Sequence, residues 1–159
     1  MSPKKQSEKN ASTEVARFSQ ARNAQSKALL EDYTELIDDL IREHGEARLI
    51  DIARHLGVTH PTAAKAVARL KREGLAVSRL YRGVFLTEAG KEMAQRVRAR
   101  HRIVVDLLVA VGVPLEAAEI DAEGIEHHVS EATLTAFKRF LGGPKSRRRI
   151  GKKSAVFGC

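Results

Sequence analysis

The stretch Asp121–Ser130, DAEGIEHHVS, sets three carboxylates and two imidazoles within ten residues of a chain whose formal net charge is +8. On a helix, Glu123, Glu126 and His127 fall at i, i+3 and i+4 and share one face, while His128 points about 100° away. Two carboxylates and an imidazole on one face form a hard oxygen and nitrogen donor set suited to a divalent cation. Two readings of this spacing stand at this point: a metal site, or a polar helix face turned to solvent. Asp32 and Glu35 repeat the i, i+3 spacing in a segment, 28–40, that holds five acids and no base. His101 lies in RARHRIVV. Asp32, Glu35, His101, Glu123, Glu126 and His127 form one centre only if the fold brings three separate segments together, which spacing alone does not establish.

A second chemistry sits in VTHPTAAKAVARLKREG. Thr59 is a good N-cap, and Pro61 falls in the first turn, where its missing N–H costs nothing. The resulting helix, Thr59–Arg72, is expected to expose His60, Thr62, Ala63, Lys65, Ala66 and Arg69. Small residues let such a helix sit deep in a DNA major groove. Thr59, Pro61 and Thr62 offer methyl and methylene groups to thymine, and Lys65 reaches a guanine edge or a phosphate. Arg69 and Arg82, with Lys71, Arg72 and Arg79, suit phosphate contacts. A solvated surface charge is the plain alternative for any one of them.

These groups need a scaffold. Leu29, Leu30, Tyr33, Leu36, Ile37, Leu40 and Ile41 recur at helical spacing and predict a first helix ended by Gly45. A short helix over Leu49–Leu56 stops at Gly57, and the Thr59 helix follows. Leu75–Leu80 and Val84–Leu86 read as two strands around Tyr81-Arg82-Gly83. Thr87 caps a long helix to about Val111, Pro114 opens the helix carrying the DAEGIEHHVS stretch, and Ser130 caps a last one through Phe140. Helix, helix, turn, helix, hairpin is the order of a winged helix-turn-helix. The fold class is therefore mainly α: an N-terminal winged helix-turn-helix over 28–90 and an all-helical dimerisation and metal-binding domain over 91–141. Residues 1–27 are expected to be a partly disordered extension, with 1–12 lacking any periodicity, and 142–159 a disordered basic tail. Ile103, Val104, Leu107, Leu108 and Val111 make a stripe wider than one small core needs, as a homodimer interface would. Two-fold symmetry would then present two recognition helices to successive major grooves, roughly 34 Å apart.

Composition agrees. Aromatics are 4% and Trp is absent, so the core rests on Leu, Ile, Val and Ala. The basic middle, 41–102, points to a polyanion and the acidic flanks to cations. The single cysteine, Cys159, forms no internal disulfide, which fits a reducing cytoplasm. The most apolar run, Ile103–Val113, is about half the ~20 residues a membrane span requires, so no membrane partner is expected.

Taken together, LEDYTELIDDLIREHGEARLIDIARHLGV, HPTAAKAVARLKREGL, YRGVFLTEAGKEMA, RHRIVVDLLVAVGV and DAEGIEHHVS resemble the diphtheria toxin repressor family of metal-dependent repressors, over roughly residues 29–141 and in family order. The resemblance implies a cytoplasmic, non-enzymatic homodimer that binds a double-stranded DNA operator when metal is bound and represses manganese uptake genes. It implies Asp32, Glu35, His101, Glu123, Glu126 and His127 as ligands of Mn²⁺, with room for two ions per subunit. Iron-type members of the family carry Met where this chain has Asp32 and Cys where it has Glu123, and place a second site at the positions of Glu119 and Val105. Val105 cannot bind metal, so the manganese branch is the better match. The hard donors agree, because thiolate and thioether favour later metals. An iron-responsive repressor is the first alternative. A metallo-hydrolase using Glu123, Glu126 and His127 is a second, but the sequence supplies no separate nucleophile or phosphate loop for it.

Overall fold

The computed structural model describes residues 3–79 and 83–143, with side chains at Ser19 and from Ala21 onward. Six helices and one hairpin follow in the order α1 (Pro3–His44), α2 (Leu49–His55), α3 (His60–Arg72), β1 (Ala76–Arg79), β2 (Gly83–Leu86), α4 (Glu88–Val111), α5 (Leu115–Ile125) and α6 (Glu131–Gly142). A 3₁₀ turn, Glu126–His128, separates α5 from α6. This is the predicted mainly-α arrangement of a winged helix-turn-helix followed by a helical lobe.

Two hydrophobic cores organise it. The first joins Tyr33, Ile37 and Leu40 of α1 to Ile52 of α2, Ala63 and Leu70 of α3, Val84 and Leu86 of β2 and Ala94 of α4. The second joins Val104 and Val105 of α4 to Ala118 and Ala122 of α5 and Leu134 of α6. α4 thus contributes to both, and no loop intervenes between them. Its start is pressed against the end of α3: Thr87 caps α4 through Gly90 N and donates its hydroxyl to Gly74 O. A Cβ on Gly90 would collide with the Leu75 carbonyl oxygen. The antiparallel wing pairs Ala76 with Leu86 and Arg79 with Gly83, and Val84 N donates to Ala47 O, which ties the wing to the segment before α2.

Several expectations change. Helix α1 begins at Pro3 and runs for 42 residues, so ahead of the apolar positions that start at Leu29 it takes in residues 3–27. Their Lys, Glu, Gln, Arg and Ala content supplies helix propensity where no apolar stripe marks it. Ala63 and Ala66 are buried, not exposed: with Val67 and Leu70 they form the inner face of α3 at i, i+3, i+4 and i+7. Val104, expected in the dimer stripe, lies in its own subunit's core, while Val111 of the same stripe and Leu115, Ile120 and Phe140 are each close to half exposed or more. The predicted tip of the wing, with Arg82, and the basic tail from 144 with Cys159 lie outside the described residues.

Candidate metal centre and nucleic-acid interface

The six candidate ligands lie around the cleft between α1, α4 and the α5–3₁₀ junction. Asp32 and Glu35 come from the α1 face bordering α5, and Asp32, Glu35, Glu123 and His127 line one cavity. His101 enters from α4. Glu126 is 1% exposed and stands at the centre. Its Oε2 is 2.6 Å from His101 Nδ1, while its Oε1 is 3.6 Å from His127 Nε2. His127 Nε2 also meets Asp32 Oδ1 at 2.8 Å, and His101 Nδ1 lies 3.6 Å from Glu123 Oε1. One donor atom each from His101, Glu123 and Glu126 fits within 4.8 Å of the others.

Convergence is achieved differently from the helical-face spacing. α5 ends at Ile125, and the 3₁₀ turn carries Glu126 and His127 inward, leaving Glu123 exposed on the last turn of α5. His128 is exposed, as the spacing required.

The electrostatics are those of a crowded acid site. Burial raises the Glu126 carboxyl to about 7, against the pull of His101 and His127. Hydrogen bonds to Asp32 and Glu31 raise the His127 imidazole to about 10, with burial opposing. Burial acts against protonation of His101 too, but Glu119 and Glu126 outweigh it and raise its pKa. Glu35 is raised by burial, with Arg98 opposing. Glu126 Oε1 is buried and accepts no hydrogen bond. Such an oxygen is costly to leave unmet, and a cation between the two histidines would satisfy it. The donors are carboxylate and imidazole throughout, and the set fits a hard divalent ion.

Four charged residues that the spacing did not single out brace the site. Glu31, 2% exposed, sits against His127 Nδ1 at 2.8 Å and accepts from Arg100 Nη1 at 3.2 Å. Glu119 meets His101 Nε2 at 3.0 Å. Arg98 of α4 ties to Asp38 and Asp39 of α1 at 2.7 and 2.5 Å. In the sequence Glu31 is one acid among five, and nothing in the spacing distinguishes it from Asp32.

On the other side of Asp32 lies the candidate reading face. Thr59 caps α3, accepting from Thr62 N, and the two hydroxyls lie 2.8 Å apart. His60, Pro61, Thr62 and Lys65 are exposed, and Arg69 is half-buried. Lys65, Arg69 and Arg72 line a groove with Leu29, Asp32 and Tyr33 of α1, and no carboxylate pairs with these three cations among the described residues. Arg22 and Gln25 of α1 border the same face beside Arg69.

The two halves match two family models. Residues 27–84 match the iron dependent repressor N-terminal DNA binding domain, and residues 87–153 match the iron dependent repressor metal binding and dimerisation domain. The chain belongs to this family of metal-dependent DNA-binding repressors. It is 52% identical over 131 residues, 82% of this chain and 84% of the relative, to the transcriptional regulator MntR of Escherichia coli. It is 41% identical over 101 residues, 64% of this chain and 71% of the relative, to the HTH-type transcriptional regulator MntR of Bacillus subtilis. Among solved structures it is similar to the manganese regulator SloR, with a TM-score of 0.63 at 27% identity over 72% of this chain. This chain spans about half of that one, 54%. No described helix is long and apolar enough to cross a membrane.

Proposed function

We propose that this chain is a Mn²⁺-activated, homodimeric repressor that acts in the cytoplasm on operators of manganese uptake genes, as a regulator and not an enzyme. Its DNA-reading half is residues 28–90 and its dimerising, metal-binding half residues 91–141, with α4 common to both. The observation that supports this reading is the grouping of donor atoms from His101, Glu123 and Glu126 within 4.8 Å of one another, beside a cavity lined by Asp32, Glu35 and His127, with a buried Glu126 oxygen that accepts no hydrogen bond. Asp32, Glu35, His101, Glu123, Glu126 and His127 would hold the metal, with Glu126 facing both histidines, an arrangement that accommodates one or two ions.

A bound divalent cation supplies positive charge that draws these side chains together. The protein's part is to make that local event felt at the DNA. Asp32 and Glu35 ride on α1, which also carries Tyr33, Ile37 and Leu40 into the core beneath α3. Holding Asp32 and Glu35 against His101, Glu123, Glu126 and His127 fixes α1 relative to the dimer half. That sets the separation and tilt of the two recognition helices. On each of them Thr59, His60, Pro61 and Thr62 would face the bases, with Lys65, Arg69 and, beyond the helix, Arg82 on phosphates.

The test is operator binding at one salt concentration with Mn²⁺, Fe²⁺, Zn²⁺ or chelator, oxygen excluded. Coupling between metal and DNA sites is typically about 1–3 kcal/mol, so Mn²⁺ should tighten binding by about 5- to 150-fold. Equal affinity with and without metal would reject the reading, and a response to Fe²⁺ alone would favour the iron-responsive alternative. Fixed salt keeps the non-specific contribution of the basic segments constant.

A further inference from the structure

The two candidate ligand histidines are held in the same way. Each turns one ring nitrogen inward to the acids of the proposed centre. His127 shows Nε2 to Asp32 at 2.8 Å and to Glu126 at 3.6 Å. His101 shows Nδ1 to Glu126 at 2.6 Å and to Glu123 at 3.6 Å. Each also has its outer nitrogen against a carboxylate outside the six-residue set: Glu31 at 2.8 Å from His127 Nδ1, and Glu119 at 3.0 Å from His101 Nε2. Glu31 is itself fixed, by Arg100 at 3.2 Å and Lys27 at 3.6 Å. Arg100 also donates to the Glu126 carbonyl at 3.3 Å, so one guanidinium joins the outer carboxylate to the turn that carries both Glu126 and His127.

A neutral imidazole holds one proton on one of two nitrogens, and only the other has a lone pair for a metal. An acceptor at the outer nitrogen selects the tautomer with the proton outside and the lone pair inside. It also fixes the ring's orientation, at a distance from the metal where it need not be a ligand. We propose that Glu31 and Glu119 are positioning residues, each taking a hydrogen bond from the outer N–H of one histidine so that the inner nitrogen faces the cation. This rests on the metal-centre reading above. The arrangement uses the opposite nitrogens of the two rings, Nε2 of His127 and Nδ1 of His101, a difference that a ligand set alone would not disclose.

Glu119 gives the cleaner test, because its side chain is half exposed and its removal leaves no buried charge behind. Mn²⁺ titrations of the full-length protein, reading free Mn²⁺ by electron paramagnetic resonance, should show Glu119→Ala binding about 10- to 100-fold more weakly. Glu119→Gln keeps an acceptor oxygen and should recover most of that loss, with an unchanged number of ions per subunit. In Cd²⁺-loaded protein, long-range proton–nitrogen correlation spectra should show His101 protonated at Nε2 and His127 at Nδ1. Glu31→Gln, checked for helicity, should still show His127 protonated at Nδ1. Full Mn²⁺ affinity in Glu119→Ala, or metal on the outer nitrogens, overturns the proposal. So does an equal loss of ions in the Ala and Gln variants, which would make Glu119 a ligand. Failure of the unaltered protein to take up Mn²⁺ would instead overturn the metal-centre reading.

Discussion

Glu126 and His127 are adjacent in sequence and both favour the fold at low pH, but they lose that contribution over different pH windows, and the difference is measurable. His127 is raised to about 10 in the metal-free fold, from 6.5. A raised histidine stabilises the fold fully below its unfolded pKa, and that stability is lost as pH climbs through the folded value. Glu126 is raised from 4.5 to about 7, so it too favours the fold at low pH, and its contribution is lost between 4.5 and 7. Metal-free protein should therefore melt at progressively lower temperature from pH 6.5 to pH 9.5, and His127→Ala should flatten that trend. Metal affinity should move the other way, since a ligand nitrogen must give up its proton. Calorimetric Mn²⁺ titrations in two buffers of different ionisation enthalpy should register proton release at pH 7.5. A pH-independent melting temperature with chelator present would contradict the assigned environment of His127. The six candidate donors were legible as residue types and, through the resemblance, as a candidate set. Glu31 and Glu119 were not, because a carboxylate's function as an outer brace depends on which ring nitrogen it meets, and that exists only after folding.

At the level of the elements, the helix boundaries were largely readable. Thr59, Thr87 and Ser130 cap α3, α4 and α6 as their side chains predict. The misreadings came where two periodicities compete. Alanine is ambiguous between a buried face and a close groove contact, and Ala63 and Ala66 were assigned to the wrong side of α3. The burial of Val67 and Leu70 fixes the phase and leaves Lys65 on the outward face. Lys65→Ala should then weaken operator binding, and one lost phosphate contact should lower the salt-dependence slope by about 1. A change for one operator base pair only, with an unaltered slope, would place Lys65 on a base edge instead. Ala66→Lys would drive a charge into the first core and is expected to destabilise the DNA-binding half. The α4 start is as tight: Gly90→Ala should cost about 1–3 kcal/mol, read as a lower denaturation midpoint, because the added methyl meets the Leu75 carbonyl. The break at Ile125 escaped prediction although Gly124 stands just before it, because the i, i+3, i+4 spacing of Glu123, Glu126 and His127 reads as one continuous helix face.

On the scale of the molecule, α4 runs 24 residues from the wing to the second core without interruption. Gly90 and Ala94 pack on the first core side, Val104 and Val105 on the second, and His101 lies between. A helix advances about 1.5 Å and turns about 100° per residue, so the register of this one helix sets the angular phase of the sensing half against the reading half. A single alanine inserted after Val97 would turn His101 and everything beyond it by about 100° relative to Asp32 and Glu35. Such a variant should keep its helicity and still dimerise, yet lose Mn²⁺-dependent operator binding. Seven inserted residues nearly restore the angle but displace the donors by roughly 10 Å, and should fail for a different reason. Retained metal response in either variant would show that the cleft is not the point of transmission. The practical consequence concerns hybrids: the sensing half of this protein is not a detachable cartridge, and a chimera made with a relative will respond to metal only if the splice within α4 preserves its residue count.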